Sequence, residues 1–494
     1  MRQLDAKAQA RVAQFLESLA VASERRGHPS EALAETIGLS QTGTCGIARI
    51  AQAEPRGMHL QNTMVKVAVA ITLAATASLP ADAATYAIRA GRLVTDAALP
   101  ARGPSTIIVD NGRITAIGVA DMAVPAGATL IDMSGRTVLP GLIDAHVHLA
   151  FGPEPWYAGF APKRTAEYAV ASGLHNALVA ARAGFTTVRE LGGDKRATIA
   201  VRDAIRDGLQ DGPRILTAGP ALSIIGGHGD DTVGINPDIG DAMDLAHPQI
   251  GVCTGVDGCA AATRAIAKLG VDVIKFHATG GVLDDGAKGL EQHFTDAEMK
   301  SICDTAHRLG LKVAAHAHGP RGIEAAVRAG VDSIEHGTYA DAADITLMKA
   351  HGTYFVATLM AFEGLKARVG KNFYTPNVEI KANQTLSQVG KALHAAYAAG
   401  VPIALGTDAG VYEHGRNGEE VALMVSEGGM TPRDALIAAT KGGATLLGIA
   451  NDTGTLAVGK SADLIAVDGD PQTDPTALVR VRYVMTMGRV IPMK

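Results

Sequence analysis

At 494 residues the chain is long enough for two or three domains, or for an α/β barrel of about 250 residues with additions. Its formal net charge of −5 argues against a non-specific nucleic-acid binder, which needs a basic face. The four cysteines (Cys45, Cys253, Cys259 and Cys303) form no CxxC pair and no zinc-finger spacing, so a thiolate-built site is not expected.

Residues 1–63 are polar, helix-permissive and carry no recognisable chemistry, and they read as an upstream extension outside the mature protein. Residues 64–84 then combine Lys66, a short apolar run to about Pro80 and an Ala81-Asp82-Ala83 site, the three parts of a secretory signal peptide. The run is shorter than the roughly 18–20 residues that span a bilayer, so no stable membrane insertion is expected. Translation from Met64 and a periplasmic or secreted location follow from this reading.

Residues 85–138 contain short strands, with Asn111-Gly112 between two of them as a hairpin signal. Residues 454–494 have the same character, so the two chain ends are expected to pair into one small β-sandwich domain. Between them, over 139–453, a helix repeatedly ends in glycine and a short apolar strand follows. The junctions lie at Gly184, Gly270, Gly310, Gly330, Gly352 and Gly400. Strands near Leu139–Val147 and Arg214–Ala218 bring the count to eight. Alternating helices and near-continuous apolar strands predict α/β architecture, here a (β/α)₈ TIM barrel. Within the Gly251–Cys259 loop, Cys253 and Cys259 read either as a disulfide or as two unpaired small residues near a helix start.

Barrel enzymes carry their chemistry at the C-terminal ends of the strands. His146 and His148 end the first strand and share a face, because side chains alternate along a strand. Lys275 closes Val271–Lys275, a position where a lone lysine is normally a snorkelling surface residue. His316, with His318 on the same face, ends Leu311–His316. His336 ends Val331–His336, and Asp408 ends Pro402–Asp408. Singly these residues are unremarkable; at the ends of five strands together they point to a metal site.

Pro140-Gly-Leu-Ile-Asp-Ala-His146-Val-His148 and Gly406-Thr-Asp408-Ala-Gly410 resemble motifs of the amidohydrolase superfamily. The likeness covers about residues 85–490 and is to the binuclear subtype with a carboxylated lysine. Thr186–Gly193, Gly226-Gly-His228-Gly229 and His414-Gly-Arg416-Asn417 are features of its imidazolonepropionase-like and Xaa-Pro or Xaa-Arg dipeptidase branch. The chain is also similar to bacterial amidohydrolases that split ochratoxin A. The resemblance implies two divalent metals, Zn²⁺ by ligand type. His146 and His148 hold one with Asp408, His316 and His336 hold the other, and Lys275, carboxylated by CO₂, bridges them. It further implies hydrolysis by a metal-bridging hydroxide, with Asp408 moving the proton.

The expected substrate is an N-acyl amino acid or a dipeptide, cleaved at its amide or peptide bond, with ochratoxin A split to ochratoxin alpha and phenylalanine as one candidate. Substrate contacts are assigned to His228, His318, Arg189, His414 and Arg416, although each arginine reads equally as a structural ion pair. A homo-oligomer is expected from the family. Two alternatives stay open: a mononuclear cyclic-amide hydrolase or deaminase of the imidazolonepropionase kind, and a non-catalytic metal-binding scaffold.

Overall fold

The computed structural model describes residues 84–153, 165–193, 196–246, 248–285 and 289–493. The upstream extension and the signal segment up to residue 83 lie outside the described residues. Among the described residues no helix is long and apolar enough to cross a membrane.

The chain opens with β1 (Tyr86–Leu93), β2 (Ser105–Asp110), β3 (Arg113–Val119) and β4 (Thr129–Pro140). The middle supplies β5 (Leu142–Val147), β6 (Phe185–Glu190), β7 (Arg214–Thr217) and β8 (Val273–His277). It continues with β9 (Lys312–Ala317), β10 (Ser333–His336) and β11 (Tyr354–Val356). The end returns β12 (Leu464–Val467), β13 (Val481–Thr486) and β14 (Arg489–Val490).

Both chain ends do build one β unit, in the order β14-β13-β12-β4-β1-β2-β3. It is a single seven-stranded sheet, where two stacked sheets were expected. The sheet curls instead of stacking: Ile114 N donates to Lys460 O and Ala462 N to Gly112 O, so the β3 edge meets the lead-in to β12. Ile88, Ile107, Ile114, Val138, Leu464 and Met485 then share one core inside the curl. Asn111 (φ 50°) and Gly112 (φ 74°) make the β2–β3 hairpin, as two left-handed residues allow. On the other side, Ile465, Val467, Val484 and Ile491 join the large core of the α/β unit.

All six junction glycines have positive φ, from 69° to 103°. Strands β5-β6-β7 form one parallel sheet and β8-β9-β10-β11 another. The two are connected at both edges through isolated bridges and short irregular segments. Asp272 N donates to Thr217 O and Leu222 N to Lys275 O on one side. On the other, Phe355 N donates to Pro402 O, Ala145 N to Leu405 O and Asp408 N to His146 O.

The arrangement is TIM-barrel-like, but the expected eighth strand, Val401 to Asp408, does not form a continuous ladder. Pro402 has no N–H to give. Leu405 N donates instead to Ala438 O, on the π-helical turn Ala438–Gly442, and Asp408 turns left-handed at φ 59°. Strands β5 and β6 are buried along their whole length, as expected of strands covered on both faces. Cys253 and Cys259 are joined in a disulfide with Cα atoms 5.1 Å apart, and Cys303 is free and buried.

Candidate metal centre

The side chains at the strand ends converge. His146 Nε2 lies 3.3 Å from His148 Nε2 and 3.4 Å from Asp408 Oδ1, and His148 Nε2 lies 3.3 Å from the same oxygen. Ligand atoms of His146, His336 and Asp408 all fall within 4.8 Å of one another, as do those of His316, His318 and His336. His336 is common to both groups, so the two lie side by side. Lys275, 2% exposed on β8, feels the charges of Glu335, Asp408 and Glu190.

Each imidazole is fixed by one ring nitrogen. His146 Nδ1 is 2.9 Å from Glu335 Oε2, and His148 Nδ1 is 2.8 Å from Gly192 O. His318 Nδ1 is 2.8 Å from Thr338 Oγ1, and His336 Nδ1 is 2.8 Å from Thr358 Oγ1. His316 is turned the other way, with Nε2 3.3 Å from Gly280 O. One nitrogen of each ring is thereby left for the cluster, the arrangement that orients metal-binding histidines. His336 (φ 71°), Thr358 (φ 50°) and Asp408 (φ 59°) all hold left-handed backbone, costly for residues other than glycine. Three such residues around one cluster mark a site that the fold pays to keep in shape.

Electrostatics suit cation binding. Burial pushes His146 down to about 4 and His318 to about 3, and holds His316 and His336 well below the ordinary histidine value. These rings are therefore neutral, the form that ligates metal. His148 goes the other way: burial opposes it, yet bonds to Asp408 and Glu190 raise it to about 10. A cation there competes with a proton. Burial likewise opposes the ionised Asp408, but His146 and His148 hold it well below the carboxylate range. The donor set of imidazole nitrogens and carboxylate oxygen fits a zinc-type divalent ion.

The arginines take the structural one of the two roles left open for them. Arg189 is 1% exposed and bonds Ala145 O at 2.6 Å, Ser333 Oγ at 3.2 Å and Glu335 Oε1 at 2.8 Å. It braces the strands beneath the cluster and has no guanidinium edge to offer a substrate. Arg416 is on the surface in a bidentate pair with Glu419, at 2.8 and 2.7 Å. His414 is pushed by burial to about 4, with Nε2 3.1 Å from Phe151 O. His228 does reach the cluster, its ring centroid 4.5 Å from that of His316.

Three buried carboxylates escaped the sequence reading. Glu335 joins His146 to Arg189. Glu190 accepts from Leu149 N at 2.5 Å and lies 3.7 Å from His148 Nδ1. Asp144 accepts from His146 N and Thr407 N, each at 3.1 Å, and from Thr407 Oγ1 and Asn417 Nδ2. It thus ties the first strand to the irregular eighth. A carboxylate within a short barrel strand, in LIDAHV, FTTVRE and SIEH, was the available signal for all three.

The sequence profile of the amidohydrolase family matches residues 137–491, which holds every residue of this cluster. The chain belongs to the amidohydrolase family. This amidohydrolase is 32% identical over 411 residues to ochratoxinase from Aspergillus niger, spanning 80% of this chain and 83% of that protein. It is 29% identical to an imidazolonepropionase from Rhodococcus jostii, over 76% and 87% of the two chains. A solved Xaa-Pro dipeptidase with bound methionine superposes with a TM-score of 0.78 at 37% identity, covering 82% of this chain and 99% of the other.

Proposed function

We propose that this amidohydrolase hydrolyses the amide or peptide bond of an N-acyl amino acid or dipeptide, using two divalent metals, with zinc the natural candidate. The observation that carries the reading is the pair of adjacent ligand groups sharing His336. The similarity to ochratoxinase and to a Xaa-Pro dipeptidase supports an amino-acid leaving group, and makes ochratoxin A, split to ochratoxin alpha and phenylalanine, one candidate substrate.

His146, His148 and Asp408 would hold one metal, and His316 and His336 the other. Lys275 would join them as its carbamate. Burial lowers its ammonium to about 8, which supports this role because only a neutral amine reacts with CO₂. Bound divalent metals lower the pKa of water and polarise a carbonyl. Asp408, ionised and touching both histidines, accepts the proton as the water oxygen bonds to the carbonyl carbon. It returns that proton to the nitrogen as the C–N bond breaks. His228 and His318 are left to contact substrate once Arg189, Arg416 and His414, whose Nε2 faces Phe151 O, are accounted for. Export to the periplasm or medium is proposed from residues 64–84, and the Cys253–Cys259 disulfide supports an oxidising compartment.

The direct test is a screen of N-acyl amino acids, Xaa-Pro and Xaa-Arg or Xaa-Lys dipeptides and ochratoxin A, with metal measured alongside. Turnover that chelators abolish and zinc restores, at two metals per chain, is the expected result. Turnover indifferent to chelation would reject the assignment, and one metal per chain would favour the mononuclear alternative. Lys275→Ala should lose metal together with activity; full occupancy in that variant would refute the bridge.

A further inference from the structure

Two loops and a helix meet beside the metal centre at one carboxylate. Asp284, on the loop after β8, has Oδ2 2.8 Å from His228 Nδ1, and the same oxygen accepts from Gly281 N at 2.8 Å. Its Oδ1 accepts from Lys381 Nζ at 2.9 Å. Lys381, 6% exposed on the helix Pro376–Leu386, also donates to the carbonyls of Gly281 (2.8 Å) and Asp284 (2.7 Å).

The chemistry of the contacts fixes the protons. A carboxylate serving an ammonium, an amide and an imidazole is an acceptor only, so His228 Nδ1 carries the hydrogen. Nε2, across the ring, is then the atom His228 has left for a ligand. The ring sits 4.5 Å from that of His316 and 4.9 Å from that of His277. Gly281 makes this seat possible: a Cβ there would come within 2.1 Å of the His228 ring. A brace alone would need only the Lys381–Asp284 pair, which is expensive to bury. Here the buried pair ends on a side chain that is 22% exposed beside the metal centre.

We propose that Lys381 and Asp284 are positioning residues that hold His228 as its Nδ1–H tautomer and present Nε2 to substrate at the metal centre. The proposal rests on the hydrolase reading above for its kinetic consequence, but the tautomer itself is independent of turnover.

The test is nitrogen NMR of the zinc-loaded protein labelled at histidine, with His228 assigned through His228→Gln. The wild type should show His228 protonated at Nδ1, and Asp284→Asn should convert it to a mixture of tautomers. With the best amide from the screen, Asp284→Asn and Gly281→Ala should each lower kcat/KM about a hundredfold at unchanged metal content. In a His228→Ala background, Asp284→Asn should cost nothing further. An unchanged tautomer in Asp284→Asn, or a full loss from that substitution in the His228→Ala background, would overturn the relay. If no amide is turned over, the hydrolase reading fails while the tautomer measurement still decides this one.

Discussion

Asp408→Asn is expected to lose about two to four orders of magnitude in kcat, the range over which a positioned acid–base group contributes. Asparagine is the right replacement because position 408 is left-handed, at φ 59°, and asparagine tolerates that region better than most residues. The backbone bond from residue 408 N to His146 O, at 2.8 Å, is therefore kept. What changes is the group facing His146 Nε2 and His148 Nε2: an anionic oxygen becomes an amide that can neither take a proton nor balance a cation. Weaker binding of the metal between those histidines should accompany the loss. Kinetics at measured metal content separate the two effects. Near-wild-type kcat in fully loaded Asp408→Asn would remove Asp408 from the proton path.

The strand ends were legible because few local rules produce them. His146-Val-His148 and His316-Ala-His318 repeat with the two-residue period of a strand, and the glycine junctions marked where six of the eight strands began. The eighth strand was misread for a physical reason. Its apolar pattern is that of a strand, but Leu405 N is taken by Ala438 O, a partner 33 residues further along the chain that no local pattern shows. The single curled sheet had the same character, since the bond between Ile114 N and Lys460 O joins the two ends of the domain. Arg189 shows the limit for side chains. An arginine at a strand end is compatible with substrate or with a buried partner, and Ser333-Ile-Glu335, which decides it, lies 144 residues away. The relay through Asp284 and Lys381 was hidden for the same reason, with 97 residues between the partners.

The Arg189–Glu335–His146 chain carries the largest expected effect on stability. Glu335 is fully buried, and though burial favours its neutral form, Arg189 first and His146 second hold it ionised, down to about 2. A carboxyl depressed in this way contributes stability that is present above its unfolded pKa and lost as pH falls towards about 2. Arg189→Met strands that charge, and about 3–5 kcal/mol of destabilisation is expected from breaking one side of a buried pair. Denaturant unfolding at neutral pH reads it. With its partner gone the Glu335 carboxyl rises in pKa, so the added loss should shrink as the pH is lowered. Zinc affinity should also fall about 10–100-fold, because His146 is no longer held by a firmly ionised acceptor. The double variant Arg189→Met/Glu335→Gln separates the two roles. Removing both charges should recover much of the stability, while zinc affinity stays low because His146 still lacks its carboxylate. A double variant as unstable as the single one would place the cost in packing, and one that regains wild-type zinc affinity would show that Glu335 does not orient His146.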